Sequence, residues 1–184
     1  MTGAQLMKKP IATKLRPRPY AYILPRDAVD AVALLRRHGI TVEVLTESDS
    51  LTVDAYTVAG VSYERAYNHA AATRVEIGEV VTLDQSFPVG TYVVPTAQFL
   101  GRLAAHMLEP ETDDNVVYWN TMDAWIPRPA EVEEAPTLPP GVDPDDPRIA
   151  AFARQRGPQG PPVVPIYKLM TPTALPTRLL EGGR

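Results

Sequence analysis

Between residues 20 and 45 the apolar positions follow a strand period, then a helix period, then a strand period. Tyr20, Ala21, Tyr22, Ile23 and Leu24 form an unbroken apolar run closed by Pro25, the pattern of a buried strand in a parallel pair. Across residues 27–38, Ala28, Ala31, Val32 and Leu35 recur at i, i+3, i+4 and i+7 and predict a helix. Asp27 and Asp30 stand near its positive end, Arg36 and Arg37 near its negative end, and Gly39 supplies the left-handed position that stops it. Residues 40–45 alternate as a second strand. Residues 20–45 therefore predict a βαβ unit with a right-handed crossover.

From residue 51 to 94 the pattern changes to alternating runs at 51–59, 61–67, 73–83 and 91–94, with Gly60, Gly78 and the Pro-Val-Gly of residues 88–90 as break or turn signals. This predicts an antiparallel meander. Thr96 then stands as N-cap of a helix over residues 96–108, with an apolar stripe of Leu100, Leu103, Ala104, Met107 and Leu108 ended by Pro110. The fold class read from these periods is α/β: a mixed sheet with one βαβ unit, an antiparallel meander, packed helices and a proline-rich tail.

Proline sets the domain boundaries. Seven of the 20 prolines fall in residues 1–125 and 13 in residues 126–184, a shift to proline-punctuated sequence just after Trp125. Residues 1–19 read as an N-terminal extension, 20–125 as the core domain and 126–184 as a wrapping tail. That tail carries a short helix starting near Asp143 over residues 148–156. It also carries a late edge strand at residues 163–169, because Pro165 is tolerable only at an edge.

Charge and residue content narrow the function classes. Lys and Arg number 18 against 22 Asp and Glu, a formal net charge of -4, so neither nucleic acid nor anionic lipid is an expected partner. Cysteine is absent, which removes disulfides, thiol nucleophiles and thiolate metal sites. No signal peptide or membrane-spanning segment is legible, and the compartment stays open.

The histidines are His38, His69 and His106. His106 and Glu109 have the His-x-x-Glu spacing of two zinc ligands, but a catalytic zinc needs a third protein ligand. The pair reads instead as i, i+3 neighbours on the solvated side of a helix. His38 suits a helix C-terminus. His69 lies between strands and is a candidate general base only if an orienting group converges on it. Trp119, Asn120, Asp123 and Trp125 form a stretch that suits a ligand or partner surface, or an anchor of the tail on the core. These four with His69 are the candidate interface residues. No catalytic or metal-ligating residue and no cofactor is assigned to the chain.

Three stretches carry a resemblance. They are Phe-Pro-Val-Gly-Thr-Tyr-Val-Val-Pro-Thr-Ala-Gln over residues 87–98, Leu-Ala-Ala-His-Met-Leu-Glu-Pro-Glu-Thr-Asp-Asp over 103–114, and Val-Tyr-Trp-Asn over 117–120. Together they resemble the C-terminal, non-catalytic region of large bacterial zinc carboxypeptidases of the carboxypeptidase A-like family. Residues 20–25, 34–40 and 165–169 are similar to its flanking segments. The resemblance implies a domain that follows a catalytic domain. Zinc, substrate-binding arginines and a catalytic glutamate would lie in that other part, and none carries over to this sequence. A Met start with no peptidase domain before it and the proline-rich insertion depart from the pattern.

The leading expectation is a non-catalytic accessory domain whose partner is a peptidase catalytic domain. The alternative is a stand-alone protein-interaction or ligand-binding module that uses the tail as a recognition segment. An enzyme built on His69 ranks third. A parent peptidase is compatible with secretion, while the oligomeric state is not legible.

Overall fold

The computed structural model describes residues 14–65, 70–127 and 162–181. β1 (Ala21–Leu24) is buried at all four positions, as its apolar run requires. α1 (Val29–Arg37) turns Ala31, Val32 and Leu35 inward. It ends with Gly39 N–H on Arg36 O at 2.9 Å and Ile40 N–H on Leu35 O at 3.2 Å. Gly39 has φ 79°, the left-handed conformation that this paired closure needs and that a Cβ would oppose.

β2 (Glu43–Leu45) and β1 run in the same direction but are not neighbours. β5 (Tyr92–Pro95) lies between them, antiparallel to both. The expected βαβ unit is thus split, and the expected mixed sheet is corrected: every ladder among the described residues is antiparallel. A run buried on both faces marks a central strand without encoding its neighbours' direction. The turn before β5 decides that direction. Gly90 N–H bonds Leu45 O at 3.0 Å and Leu45 N–H bonds Thr91 O at 2.9 Å, which draws β5 alongside β2.

β3 (Asp49–Tyr63) and β4 (Thr73–Phe87), 15 residues each, form a long antiparallel hairpin. The expected meander stops there, because among the described residues β4 pairs only with β3, and β5 leaves for the middle of the sheet. Gly60 and Gly78, read as breaks, lie inside these strands beside two register shifts between Tyr56 and Gly60. The Thr57 hydroxyl fills the irregularity, accepting from Glu79 N–H at 2.8 Å and donating to Glu79 O at 3.1 Å. A Cβ on Gly78 would stand 2.5 Å from that hydroxyl oxygen. The bulge also changes the face that alternate residues serve. Leu51, Val53 and Leu83 pack on one side of the sheet, whereas Tyr56, Val58, Val75 and Ile77 pack on the helix side.

β6 (Tyr167–Leu169) and β7 (Thr177–Leu179) complete the sheet in the order β4-β3-β6-β1-β5-β2-β7. The strand expected at an edge near residues 163–169 is therefore central, between β3 and β1, and the edges among the described strands are β4 and β7. Pro165 permits this because it precedes the ladder. The donors on either side of it are used, Val164 N–H on Tyr56 O at 2.9 Å and Ile166 N–H on Val164 O at 2.8 Å. The helix expected over residues 148–156 lies outside the described residues.

α2 (Gly101–Leu108) begins later than the expected residue 96. Thr96 is not its cap. The Thr96 hydroxyl donates to Pro19 O at 2.6 Å, and Gln98 clamps the other side of the turn, accepting from Thr41 N–H at 2.7 Å and donating to Thr41 O at 3.0 Å. The polar groups of residues 96–98 are thus spent on neighbouring segments. The turn is tight: a Cβ on Gly101 would lie 2.0 Å from Thr96 O, whereas one on Gly60 would meet only the flexible Glu76 side chain, at 3.1 Å. Gly101→Ala is expected to lower the unfolding free energy by about 1–3 kcal/mol, and Gly60→Ala by less. Equal denaturation midpoints for the two variants would contradict this account of the turn.

Candidate functional site

The segment after α2 is a chain of turns organised by asparagine. Asn115 is buried, and its Oδ1 accepts from Val117 N–H and Tyr118 N–H, both at 2.9 Å. Asn120 adopts φ 61°, a left-handed conformation that asparagine tolerates better than most residues. Its Nδ2 lies 3.0 Å from Ala71 O, Thr73 Oγ1 and Asp123 Oδ2, and Thr73 Oγ1 donates to Asp123 Oδ1 at 2.9 Å. Asn120 and Asp123 therefore clamp these turns to the start of β4.

The other candidate residues are dispersed. Trp125 is half-buried against the helix-side core. Trp119 is 42% exposed and borders an open groove of about 450 Å³ between α1 and α2, whose floor includes Leu34, Leu103 and Met107. His38 and His106 stand on that groove as well. His69 lies outside the described residues.

The spacing of His106 and Glu109 does not bring them to one surface. His106 is exposed, but Glu109 is only 7% exposed, so the reading of both as solvated helix neighbours is corrected. α2 ends at Leu108, and Glu109, extended at φ -86° and ψ 115°, departs from the helical path. Among the described residues no three His, Asp or Glu side chains gather as a metal-holding group.

Glu109 instead belongs to a buried cluster that the sequence reading missed. Tyr22 donates to its Oε1 at 2.6 Å and Tyr56 to its Oε2 at 2.7 Å. Lys168 Nζ, on a side chain from β6 that is only 5% exposed, lies 2.7 Å from Oε1 and donates to the Tyr56 hydroxyl at 2.9 Å. A signal was present. Lys168 is the one charged residue in an otherwise apolar run, Val-Val-Pro-Ile-Tyr-Lys-Leu, and a lysine buried with its strand requires an anion.

This cluster connects outward to the N-terminal segment. Arg16 grips Glu111 through Nε at 2.6 Å and Nη2 at 2.9 Å, and Lys14 bonds the same carboxylate. The hydrogen bond from Arg16 holds the Glu111 carboxyl below its usual range, with Lys14 adding to the effect. Tyr56 stands between the two systems, its ring centroid 5.7 Å from Arg16 Cζ and 5.0 Å from Lys168 Nζ. Burial first, then the Glu109 carboxylate, push the hydroxyls of Tyr22 and Tyr56 far above the ordinary tyrosine range. The cluster holds four groups that hydrogen-bond one another, which is the chemistry of a lock between segments.

Comparison with known proteins gives one kind of relative. A stretch of 104 residues is 32% identical to Carboxypeptidase 2 of Trichophyton tonsurans, covering 56% of this chain and 19% of that protein. The chain carries a carboxypeptidase-related region. Carboxypeptidase 2 of Trichophyton rubrum is 31% identical over 107 residues, and the Probable carboxypeptidase 2 of Arthroderma benhamiae is 30% identical over 123 residues, 62% of this chain and 23% of that protein. This chain spans about a fifth of the length of the curated carboxypeptidases it matches. These relatives are fungal, whereas the motif resemblance pointed to bacterial enzymes. No protein-family model and no solved structure matches the chain. Among the described residues no helix is long and apolar enough to cross a membrane.

Two measurements test the lock. Lys168→Met leaves a buried carboxylate without its cation and is expected to cost about 3–5 kcal/mol in chemical denaturation. Adding Glu109→Gln, which removes the orphaned charge and keeps partners for both tyrosines, should recover much of that loss; a double variant no more stable than the single one would refute the pairing. The second test is alkaline. Ordinary tyrosines ionise near 10, so above that pH the unfolded chain releases protons that the folded protein retains. Stability from these hydroxyls is full below pH 10 and falls as pH rises, by about 1.4 kcal/mol per pH unit for each tyrosine. Tyr22→Phe should flatten the alkaline slope by about half a proton at pH 10 and by nearly one near pH 11, read from denaturation midpoints over that range.

Proposed function

We propose that this chain is a non-catalytic accessory unit that docks against, or stabilises, the zinc-binding catalytic part of a carboxypeptidase. The observation that carries this reading is the coverage: more than half of the chain is related to carboxypeptidases, yet it accounts for about a fifth of each of them. The part matched is small enough to be one unit of a larger enzyme. Zinc and the catalytic groups belong, on this reading, to the remainder of such an enzyme, and the chain itself needs no cofactor.

The surface that suits docking is the helix layer. The α1–α2 groove has an apolar floor, Trp119 stands on its border, and Phe99 before α2 is fully exposed. Aromatic side chains of this kind are enriched in the centres of protein interfaces. The same groove favours the second reading, a stand-alone interaction module, in which another protein takes the peptidase domain's place.

The purified chain, assayed on N-blocked dipeptides with added zinc, is expected to show no turnover. Mixed with the catalytic part of a carboxypeptidase 2 relative lacking the similar region, it is expected to associate saturably, and Trp119→Ser should weaken that association about ten-fold. Zinc-dependent turnover by the chain alone would overturn the accessory reading. Absence of association with the catalytic part would move the case to the interaction-module reading.

A further inference from the structure

Seven threonine, asparagine, glutamate and lysine side chains are buried among the described residues, and six of them are hydrogen-bonded or ion-paired within the chain. Thr91 is the exception. It is 1% exposed, its N–H donates to Pro88 O at 3.2 Å and its O accepts from Leu45 N–H at 2.9 Å, but its hydroxyl has no partner among the described residues. No buried side-chain oxygen or nitrogen among those residues is sealed from solvent without a partner, so this hydroxyl opens onto a surface. Thr91 lines an open recess of about 220 Å³. A hydroxyl held there costs free energy unless something from outside the chain satisfies it.

The recess forms where three chain segments meet on the side of the sheet away from the helices. Pro25 follows the end of β1, Phe87 ends β4 and Tyr167 begins β6. Phe87 and Tyr167 pack edge to face, ring centroids 5.3 Å apart. The Tyr167 hydroxyl is the second group without a partner. Carboxylates contribute to raising the hydroxyls of Tyr22, Tyr56 and Tyr118, whereas burial alone raises that of Tyr167. Ser86 brings a third hydroxyl to the lining, and Gln85 spends its Nε2 on Ser86 O at 3.0 Å. Arg26 and Asp27 also border the recess, but they pair with each other at 3.7 Å and leave the rim without net charge.

This lining selects its ligand by chemistry. A charged molecule would meet no unpaired counter-charge here. A hydroxyl both donates and accepts, so several hydroxyls together match a ligand whose polar atoms are themselves hydroxyls, in either sense. The rest of the lining, Pro25, Phe87, Pro88 and the Tyr167 ring, is hydrocarbon and calls for a C–H surface on the ligand. Sites for drug-sized molecules run to about 300–1,000 Å³, and this one has room for a single ring. We propose that the recess binds one ring of a neutral sugar or cyclic polyol, its hydroxyls bonded to Thr91, Tyr167 and Ser86 and its C–H face lying on Phe87 and the two prolines. The ring is that of a free sugar or the end of a longer glycan. The proposal does not depend on the accessory reading, because it uses the face opposite the α1–α2 groove and no peptidase partner.

The test is an NMR titration of the isotope-labelled full chain with glucose, mannose, galactose and myo-inositol, read at the amides of Phe87, Thr91 and Tyr167. The controls are cyclohexanol, glycerol and N-acetylprolinamide, which supply a ring with one hydroxyl, hydroxyls without a ring, and a neutral amide. Saturable shifts with at least one of the four ring polyols are expected, with every control at least about five-fold weaker. A disaccharide of the preferred sugar that binds tighter than the monosaccharide identifies a glycan end as the ligand; the reverse order identifies a free sugar. Thr91→Val and Tyr167→Phe should each weaken binding about five-fold and leave the melting temperature unchanged or higher, because neither hydroxyl has a partner in the chain. Tyr63→Phe, at the other end of the β3–β4 hairpin, should leave binding unchanged. No saturable shift with any ring polyol, a control that binds as tightly, indifference to both variants, or a lower melting temperature for Thr91→Val would overturn the proposal.

Discussion

A buried carboxylate must find its counter-charge or unfold the protein around it, and in this protein Glu109 finds one in a residue nearly sixty positions later in the sequence. The Lys168 ammonium sits 2.7 Å from it, and two tyrosine hydroxyls donate to its oxygens. The four groups come from β1, β3, the end of α2 and β6. Their mutual satisfaction joins strands from three regions of the chain to the helix layer. Burying such a pair gains little over a well-packed apolar alternative, because desolvation offsets most of the attraction. Its effect is on specificity. Lys168 lies opposite Tyr22 and Asp54. A one-residue slip of β6 would turn the ammonium to the other face, among the apolar Leu51, Val53 and Phe87 and away from Glu109.

Once β6 is fixed, the rest of the sheet follows from two local devices. The turn at Gly90 places β5 between β1 and β2, and the irregularity at Thr57, Ala59 and Gly78 lets one long hairpin serve both faces. Below the bulge, Leu51 and Val53 fill the core on the side away from the helices; above it, Val58 and Val61 pack under the helix layer. A straight hairpin of the same length would present one apolar stripe throughout, and half of it would face the wrong side.

This explains what was legible in the sequence. Elements set by their own periodicity were readable: α1 from its stripe and Gly39, β1 from its unbroken apolar run, and the extended character of β3 and β4 from alternation, although as shorter strands of a meander and not as one long hairpin. Features set by pairing partners were not. Nothing local in Tyr20–Leu24 tells a parallel neighbour from an antiparallel one, and Gly60 and Gly78 carry the same composition signal whether they end a strand or bend it. Thr96 had the residue type of a cap, but the Pro19 carbonyl competed for its hydroxyl. Among the candidate site residues, Asn120 and Asp123 stood out as part of one polar stretch, but their bonds to each other and to Thr73 depend on how the turns fold back on β4. Glu109 was noticed for the wrong neighbour, His106, because its real partner is separated from it by the whole proline-rich region.

That separation also bears on how the fold tolerates such a region. Ile126 and Val164 both belong to the helix-side core, so the chain leaves the core and re-enters it at two packed residues. The entropy of closing a flexible loop grows only as the logarithm of its length, with each doubling costing about 0.6 kcal/mol. A single buried Ile or Val contributes more than that. The fold therefore constrains where the chain leaves and where it returns far more than how much chain lies between. What cannot vary is the returning segment. Lys168 and the residues around it occupy the middle of the sheet, so a sequence that keeps the first 125 residues but loses β6 would leave β1 and β3 with open edges and Glu109 with a buried charge.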